Sequence, residues 1–379
     1  MKKIFTFSAA VVFTLNGFSQ IPNWDWARSA GGISYWDAAR SASADHSGNV
    51  YIAGFFDSPA ITFGSTTLIG NTSGDMYIAK YDNAGNPIWA KSAWGYWHDE
   101  ATSVAVDQSD NVYVAGWFSS PYIIMDADTL FNPSASTWDM FLIKLDSSGN
   151  IIWSKSFGGN NHDAIYAMTT DASGDIYITG TFASASVTFG AFTLTNPSSN
   201  NSFIVKLDSN GNVLWAKSSV GIGWTKARSI CKDFSNNIYV AGDFSAPSIT
   251  FDSIVLLNTY GPTTGLMFFV KYDSNGNVQW AKSGGNGSGS EANTLTTDSF
   301  NNIYVAGTYG DTLIMDSDTL IHFDTSNVFN QNDIFIAKYN SNGNKLWIKR
   351  GGGNTFNYVT SIVADNNSRL FLTGYYQQQ

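Results

Sequence analysis

One β-rich segment recurs six times along this chain and constrains the fold more than any other feature. A motif of the type W-x-K-S returns after 63, 64, 62, 65 and 67 residues, and its six tryptophans are Trp26, Trp89, Trp153, Trp215, Trp280 and Trp347. A strand of the type V-Y-V-A-G follows the same interval and ends at Gly54, Gly116, Gly180, Gly242, Gly307 and Gly374. Two motifs that share one period indicate a repeat architecture in which each unit packs on its neighbours.

Each repeat is predicted to contain four short strands and an inserted piece. In the second repeat the strands are expected at residues 89–92, 101–107, 111–116 and 139–146, with the insert at residues 123–130. Residues 112–115 are apolar on both faces, which is typical of sheets covered on both sides. Strands this short, without a helical period, exclude a helical solenoid. The sequence therefore predicts an all-β fold, a β-propeller of four-stranded blades.

The turns agree with this interpretation. The fourth turn position before each V-Y-V-A-G strand holds Gly48, Asp110, Gly174, Asn236, Asn301 or Ser368. The turn before the W-x-K-S strand holds Gly85, Gly149, Gly211, Gly276 or Gly343. Gly, Asn and Asp tolerate the positive φ angles that tight hairpins need. We therefore expect left-handed backbone at these positions.

Residues 1–19 are expected to be a signal peptide. Lys2 and Lys3 precede an apolar run of twelve residues, and the small residues Gly17 and Ser19 suit cleavage after Ser19. The run is shorter than the roughly 20 residues that a membrane-spanning helix needs. We therefore expect residues 20–379 to form the propeller array, with its units starting near the six tryptophans, in a protein that is secreted or held at the cell surface.

Composition excludes several classes of function. The net charge of −10 disfavours nucleic acid and anionic membranes as partners. Cys231, the single cysteine, leaves no disulfide, and it is expected to be a buried, inert thiol. The sequence shows no nucleophile elbow, phosphate loop or dinucleotide fingerprint. It is therefore not expected to be an enzyme.

Neither zinc nor calcium is expected. The four histidines, His46, His98, His162 and His322, do not have the spacing of a zinc site. Aspartate-rich turns such as residues 208–212 are similar to calcium loops but lack the terminal glutamate. We expect no cofactor, with calcium as the weaker alternative.

The repeat resembles a known family. The run D-x-F-x-x-K-x-D-x-x-G-N-x-x-W-x-K-S, then A-x-x-x-x-x-D-x-S-G-N-x-Y-x-x-G, is similar to the SBBP repeat of bacterial seven-bladed β-propeller proteins, and the resemblance covers residues 26–374. It implies an exported or cell-surface protein, often with a C-terminal sorting or adhesion module, which we expect to be missing from this chain.

The sixth repeat is shorter than the others. It ends with the strand at residues 370–374 and lacks a D-x-F-x-x-K-x-D strand, so five repeats are complete. We expect a fragment of a protein with six or seven blades. Alone, it would form an open or strained ring with an exposed strand edge, which is an aggregation hazard.

The loop after each W-x-K-S strand varies most, and it carries the candidate binding residues. An acidic residue lies ten or eleven positions after the repeat tryptophan in four units, and irregular aromatic residues accompany it. One interpretation is that the acid accepts backbone N–H bonds that join neighbouring blades. The other is that carboxylates and aromatic platforms bind a ligand such as a sugar. The candidates are Trp36, Asp37, Trp97, His98, Glu100, Asp163, Trp224, Glu291 and Tyr358.

The sequence thus predicts a non-catalytic module that binds an extracellular glycan or protein. One alternative is a purely structural module of a longer, adhesin-like surface protein. A second is a carbohydrate-active enzyme that uses Glu100 and Asp163, whose carboxyl groups would have to lie about 5–9.5 Å apart.

Overall fold

The structure, a computed structural model, describes residues 11–12, 25–32, 36–71, 73–134, 136–197, 199–261, 265–286, 289–322, 332–353 and 356–376. They belong to two compact units. The first unit is residues 21–217, and the second unit is residues 218–379 together with residues 1–20. All regular structure in the described ranges is β-strand or turn, and these ranges contain no helix able to cross a membrane. The strands are numbered along the chain from β1 (Val11–Val12), which belongs to the second unit.

The first unit contains three antiparallel four-stranded sheets, each with an inserted two-stranded hairpin between its second and third strands. The first sheet consists of β2 (Asp37–Ala44), β3 (Val50–Phe56), β6 (Asp75–Tyr81) and β7 (Pro87–Ala93), with the hairpin β4 (Ala60–Phe63) and β5 (Thr66–Ile69). The second consists of β8 (Asp99–Val106), β9 (Val112–Phe118), β12 (Asp139–Leu145) and β13 (Ile151–Phe157), with the hairpin β10 (Tyr122–Met125) and β11 (Asp128–Phe131). The third consists of β14 (Asp163–Thr170), β15 (Ile176–Phe182), β18 (Asn201–Leu207) and β19 (Val213–Ser218), with the hairpin β16 (Ser186–Phe189) and β17 (Phe192–Thr195).

The second unit repeats this pattern twice and ends on a shorter sheet. The fourth sheet consists of β21 (Thr225–Lys232), β22 (Ile238–Phe244), β25 (Leu266–Tyr272) and β26 (Val278–Gly284), while β20 (Val220–Gly221) extends the hairpin β23 (Ser248–Phe251) and β24 (Ile254–Leu257). The fifth consists of β27 (Glu291–Thr297), β28 (Ile303–Tyr309), β31 (Asp333–Tyr339) and β32 (Lys345–Gly351), with the hairpin β29 (Thr312–Met315) and β30 (Asp318–Ile321). The sixth consists of β33 (Asn357–Ala364), β34 (Leu370–Tyr376) and β1.

The predicted fold class is confirmed: the chain is an all-β propeller of four-stranded blades, and the last sheet has only two strands of the repeat. Each blade starts after the variable loop and ends with the W-x-K-S strand, so the blade is offset from the sequence repeat. The predicted turn positions all have positive φ, from 58° to 79° in the first hairpin and from 78° to 87° in the second. Ser368, with φ 59°, adopts this conformation without being one of the favoured residue types.

The core lies between neighbouring sheets. Strands β6 and β12 are buried along their whole length, as expected for sheets covered on both faces. One cluster joins Met76 and Ile78 of the first sheet to Phe118, Phe141 and Ile143 of the second. Each such side chain contributes roughly 1.5–3 kcal/mol when fully buried, so face-to-face packing supplies most of the driving force.

The repeat tryptophan connects neighbouring blades. The indole N–H of Trp89 donates to the carbonyl oxygen of Ser147 in the next sheet's hairpin, at 3.3 Å. Trp153 makes the same bond to Ser209, at 3.2 Å. The ammonium group of Lys80 also donates to the carbonyl of Ser147, at 3.0 Å. The W-x-K-S strand and the K-x-D strand therefore hold the next blade in place together.

Neighbouring sheets within a unit also meet along their first strands, where a β-bulge interrupts each one. In β8 the register with β9 shifts between Ala101 and Ser103. A serine just after the bulge accepts a backbone N–H from the next first strand, as in Val104 to Ser41 and Met168 to Ser103, both at 3.1 Å. Since a bulge disrupts the local ladder, these hydroxyls give nearby N–H groups a partner.

The predicted signal peptide lies largely outside the described residues, and the single cysteine lies against the core. Of the predicted signal peptide, only Val11 and Val12 are described, and they pair antiparallel with Phe371 and Leu372 of β34. The other residues of 1–19, and the terminal glutamines 377–379, lie outside the described residues. Cys231 is half-buried against the core of the second unit, and burial raises the pKa of its thiol.

Candidate functional site

The four acidic residues predicted to share one position of the repeat occupy two different positions in the structure. This is a correction to the sequence analysis. Pairing of the first strands with the second strands makes Asp37 and Asp163 equivalent to Asp99, at the first residue of their strands. Glu100 and Glu291 occupy the second residue of the pattern. The two positions have different surroundings and different chemistry.

The aspartates at the first position hold loops within their own sheet. Asp163 is fully buried, and its carboxylate accepts the backbone N–H groups of Ala183 and Ser184, at 3.0 and 3.1 Å, and the Ser184 hydroxyl, at 2.6 Å. Asp37 does the same for Ser58, at 3.1 and 2.8 Å. The predicted backbone bonds exist, but these partners lie in the same sheet as the acid and not in its neighbour.

The glutamates at the second position face a side chain from the preceding blade. Arg40, the residue in the bulge of β2, donates from its Nε to Oε1 of Glu100 at 2.7 Å. Arg228, in the bulge of β21, donates from its Nη2 to Oε1 of Glu291 at 3.0 Å. Sequence reasoning missed both arginines. The signal that could have found them is the A-R-S triplet, in which the middle residue is the one a bulge pushes out of the ladder.

A continuous row of rings crosses the first unit beside the Arg40–Glu100 pair. We call it the aromatic strip, and it consists of Phe55, His98, Trp117, Trp138 and His162. The centroids of successive rings lie 4.7, 5.2, 4.5 and 4.7 Å apart. These separations fall in the range of favourable ring contacts. Only His98 had been predicted as a site residue. Phe55, Trp117 and Trp138 come from strand ends outside the variable loop, whereas His162 lies in that loop beside the predicted Asp163.

His98 joins the strip to the charged pair. Its Nε2 lies 3.4 Å from Oε2 of Glu100, and its Nδ1 lies 3.7 Å from Oδ1 of Asp57. The guanidinium of Arg40 lies 5.1 Å from the centroid of Phe55, at the start of the strip. Cationic, acidic and aromatic groups thus meet at one place on the first unit.

Two predicted tryptophans are exposed next to this cluster. Trp36 is 72% exposed, and its carbonyl oxygen accepts the backbone N–H of Asp57 at 3.0 Å. Trp97 is 41% exposed and directly precedes His98. Trp94 is similarly exposed, at 46%, but its backbone pairs with Ile124 of the hairpin β10.

The remaining predicted residues belong to the second unit. Tyr358 stacks on Tyr375 at 5.2 Å, and its hydroxyl meets the side-chain amide of Asn293 at 2.6 Å. Burial raises the pKa of Tyr358 to about 12. Trp224 is half-buried just before β21, and its carbonyl oxygen accepts the N–H of Ser245 at 2.8 Å.

Buried carboxyl groups of neighbouring blades approach one another in the first unit. Burial raises the pKa of Asp99 to about 7, with a further contribution from Asp75, whose own pKa is raised by burial to about 6. The pKa of Asp139 is raised to about 7 by burial and by the nearby Asp163. Within the described ranges, no three His, Cys, Asp or Glu residues are arranged to hold a metal ion.

Comparisons with known proteins agree with the fold. No protein-family model matches the chain. It is 24% identical over 431 aligned residues to an uncharacterised WD repeat-containing protein of Acanthamoeba polyphaga mimivirus, covering 93% of this chain and 31% of that protein. It is 26% identical over 147 residues to the regulatory protein FlaEY of Caulobacter vibrioides, covering 38% of this chain and 15% of that protein.

Among solved structures, Sqt1 from Chaetomium thermophilum aligns over 90% of this chain and 97% of its own, with a TM-score of 0.40 and 7% identity. The two curated relatives, from mimivirus and Caulobacter, are much longer, and this chain spans less than a third of the length of each. WD repeats are propeller blades, consistent with the observed sheets. The resemblance to the SBBP repeat stays a prediction.

Proposed function

We propose that this chain is an exported, non-catalytic binding module that recognises a glycan on the first unit, around Trp36, Trp97 and the Arg40–Glu100 pair. The observation that supports this most directly is the pair of exposed indoles beside a charged cluster. The match to a WD repeat-containing protein agrees with an interaction role, because propeller repeats present one rigid face to a ligand.

The indoles supply the stacking surface. Large aromatic side chains are costly to expose, and Trp36 is 72% exposed. Within the described part of the chain, no ring packs on either Trp36 or Trp97. The exposed part of each indole, 72% for Trp36 and 41% for Trp97, is available to stack on the apolar face of a sugar ring, which is a contact that indoles favour in amphipathic ligands.

The charged cluster supplies the polar contacts. Arg40 presents several N–H donors, and Glu100 and Asp57 present carboxylate oxygens, so a sugar hydroxyl finds both donors and acceptors. The side chain of Arg40 is 43% exposed, whereas that of Glu100 is 11% exposed. Arg40 is therefore the group that a ligand reaches first, with Glu100 fixing its orientation.

The aromatic strip makes this surface rigid. Stacked rings connect His98 to the next blade through Trp117 and Trp138. A site whose side chains are already ordered loses less conformational entropy on binding. The strip therefore contributes by positioning His98 and its neighbours before the ligand arrives.

The geometry favours binding over hydrolysis. A glycosidase needs two carboxyl groups that reach the same sugar bond. Asp163 is fully buried, and its oxygens accept bonds from Ser184 and backbone N–H groups. Glu100 is already paired with Arg40. The predicted catalytic pair is thus committed to other contacts.

The test is a glycan array probed with the full chain, followed by titration of the best glycan against three variants. Trp36→Ala and Trp97→Ala should each weaken binding at least about tenfold, which corresponds to about 1.4 kcal/mol. Trp94→Ala is the matched control, because it removes an indole of similar exposure whose backbone pairs with Ile124 of the hairpin β10. It should change affinity less than about twofold.

Three results would contradict the proposal. Equal loss in all three variants would indicate a folding defect instead of a binding site. Turnover of any bound glycan would favour the enzyme, and absence of binding to every glycan would favour the structural module or a protein ligand. Export is tested separately, by N-terminal sequencing of protein from the culture medium, which should begin at Gln20.

A further inference from the structure

The loop at residues 94–98, which carries Trp97 and His98, lies between two buried carboxyl groups. Asp75, the first residue of β6, belongs to the first sheet, and Asp99, the first residue of β8, belongs to the second. Both side chains are fully buried. We propose that these two carboxyl groups form a pH-sensitive switch, which holds the loop in place while the pair carries a proton and loosens it when both groups are charged.

Gly95 places the loop in contact with both carboxyl groups. Its backbone N–H donates to Oδ1 of Asp75 at 3.4 Å. A Cβ atom at Gly95 would lie 2.6 Å from Oδ2 of Asp99, so this position has no room for a side chain. The N–H of Asp99 donates in turn to the carbonyl oxygen of Gly74, at 2.8 Å. The first and second sheets therefore meet at this loop, and a movement of either carboxyl group displaces it.

Hydrogen bonds also connect Asp99 to the two site residues of the loop. The hydroxyl of Ser120 donates to Oδ2 of Asp99 at 2.9 Å, and its oxygen accepts the backbone N–H of Trp97, also at 2.9 Å. The carbonyl oxygen of His98 accepts the backbone N–H and the hydroxyl of Ser119, at 3.2 and 2.7 Å. The backbone of Trp97 and His98 is thus held by the two serines that surround Asp99.

Burial opposes the ionisation of both acids. It raises the pKa of Asp99 to about 7, with a contribution from the charge of Asp75, and it raises the pKa of Asp75 to about 6. The usual value is 3.8, so the pair holds a proton at mildly acidic pH and loses it as the pH rises through about 6 and 7. Two like charges then lie buried on either side of Gly95. Entry of water or separation of the carboxyl groups relieves this cost, and either change opens the contacts of the loop.

The surrounding charges do not cancel this effect. The titratable groups that act on Asp75 or on its neighbour are Asp37, Asp57, His98 and Glu100. Three of these four are acids, and Glu100 is bonded to the guanidinium of Arg40. The positive form of His98 lowers the pKa of Asp75, but burial is the larger influence, and the pKa of Asp75 stays raised.

The consequence for ligand binding rests on the function proposed above. Trp97 and His98 belong to the loop, so a glycan that stacks on Trp97 meets an ordered site below about pH 6 and a looser one above about pH 7. Coupling between two sites of a protein typically changes affinity by about five- to 150-fold. We expect the affinity to fall about fivefold between pH 5 and pH 8.

The first measurement is the affinity of the full chain for the tightest-binding uncharged glycan of the array, at pH 5 and at pH 8. Asp99→Asn should keep the pH 5 affinity at both values, because asparagine retains the contacts with Ser119 and Ser120 and cannot ionise. Asp139→Asn is the matched control. Burial and the nearby Asp163 also raise the pKa of Asp139 to about 7, but at the next junction between sheets, so this variant should still lose affinity at pH 8.

The second measurement is hydrogen exchange of the Trp97 amide without ligand, which tests the switch independently of the binding function. Each rate is divided by the intrinsic exchange rate at the same pH, so that it reports the opening of the bond from Trp97 to Ser120. Opening should become at least about fivefold more frequent between pH 5 and pH 8 in the unsubstituted chain. It should not change with pH in Asp99→Asn.

The outcomes separate the switch from the binding function. Equal glycan affinity at pH 5 and pH 8 would overturn the switch and leave the binding function intact. A pH dependence that persists in Asp99→Asn would also overturn it, because a group within the site would then be titrating. If no uncharged glycan binds, the binding function loses its support and Trp97 exchange decides the switch: exchange that follows pH only while Asp99 is present supports it, and exchange without pH dependence refutes it.

Discussion

Replacing Asp99 by asparagine should make the first unit more stable at neutral pH. Asp99 is fully buried at the start of β8. Its Oδ1 accepts the N–H groups of Ser119 and Ser120, and its Oδ2 accepts the Ser120 hydroxyl at 2.9 Å. An asparagine keeps one oxygen for both backbone donors, and its amide can donate to the same hydroxyl. The substitution therefore removes a buried charge without leaving a polar group unpaired.

The magnitude follows from the pKa of Asp99, which burial raises from 3.8 to about 7. The folded protein binds this proton more tightly than the unfolded chain does, so the associated stability is present below pH 3.8 and is lost as the pH rises to about 7. Three pKa units correspond to about 4 kcal/mol. We therefore expect a gain of up to about 4 kcal/mol at pH 8 and none at pH 3.

Urea denaturation of the full chain at pH 3, 5.5 and 8 measures this gain. Exchange of the β8 and β9 amides assigns it to the first unit, since the two units need not unfold together. Asp82→Asn is the control of opposite sign. Hydrogen bonds from Asn86 lower the pKa of Asp82 below 3.8, so this variant should lose stability at pH 8 and lose less at pH 3. An Asp99→Asn gain that is equal at pH 3 and pH 8 would refute the reasoning, as would no gain at all.

Three further substitutions, with Gly353→Ala as a control, test the contacts between and within blades. Ser103→Ala deprives the Met168 N–H of its acceptor and should cost about 1–3 kcal/mol, visible as faster exchange of that amide. Tyr113→Phe removes a hydroxyl bonded to the turn aspartate and should cost about 1 kcal/mol in urea denaturation. Gly116→Ala places a Cβ 1.9 Å from a carbonyl oxygen of β8 and should prevent soluble expression, whereas Gly353→Ala, with no atom within 4 Å, should have no effect.

The fold could be predicted because each repeat contains residues that mark where its strands and turns lie. Strand positions came from two motifs with one period, and the turns came from residues that tolerate positive φ. Ser368 illustrates where residue type stops being informative: its φ of 59° is imposed by a hairpin that five other copies of the repeat also form. Position in the repeat predicted its conformation when residue type did not.

The sequence analysis assigned the four acidic residues to one position because it counted their distance from the repeat tryptophan. Asp37 and Asp163 lie eleven and ten residues after their tryptophans but occupy the same strand position, since the intervening loops differ by one residue. Counting back from the residue after the bulge, which is Ser41, Ser103, Ala167 or Thr294, would have separated them. Counting residues through a loop of variable length does not identify equivalent positions in different repeats, whereas counting along a strand does, because strand pairing fixes its register.

The bulge also explains why the arginines were missed. A strand pattern assigns alternate residues to alternate faces, and a bulged residue follows neither assignment. Arg40 and Arg228 therefore look like interruptions of an apolar strand when only the sequence is available. In the structure they are the residues that reach across to Glu100 and Glu291 of the next blade.

The bulge gives two adjacent residues of the first strand different roles: the residue after it contacts the next blade, and the bulged residue is free to vary. The serine after it binds the next blade, so its role is structural in Ser41, Ser103 and Ser229 alike. The bulged residue itself has no ladder role, and its identity changes from blade to blade: Arg40, Thr102, Tyr166, Arg228, Asn293 and Thr360. Because a regular neighbour fixes its backbone, each of these side chains has a defined position without being needed for the fold. A propeller blade can therefore acquire a new ligand contact at the bulge at little cost in stability, and the proposed site uses Arg40 in this way, together with the exposed indole of Trp36.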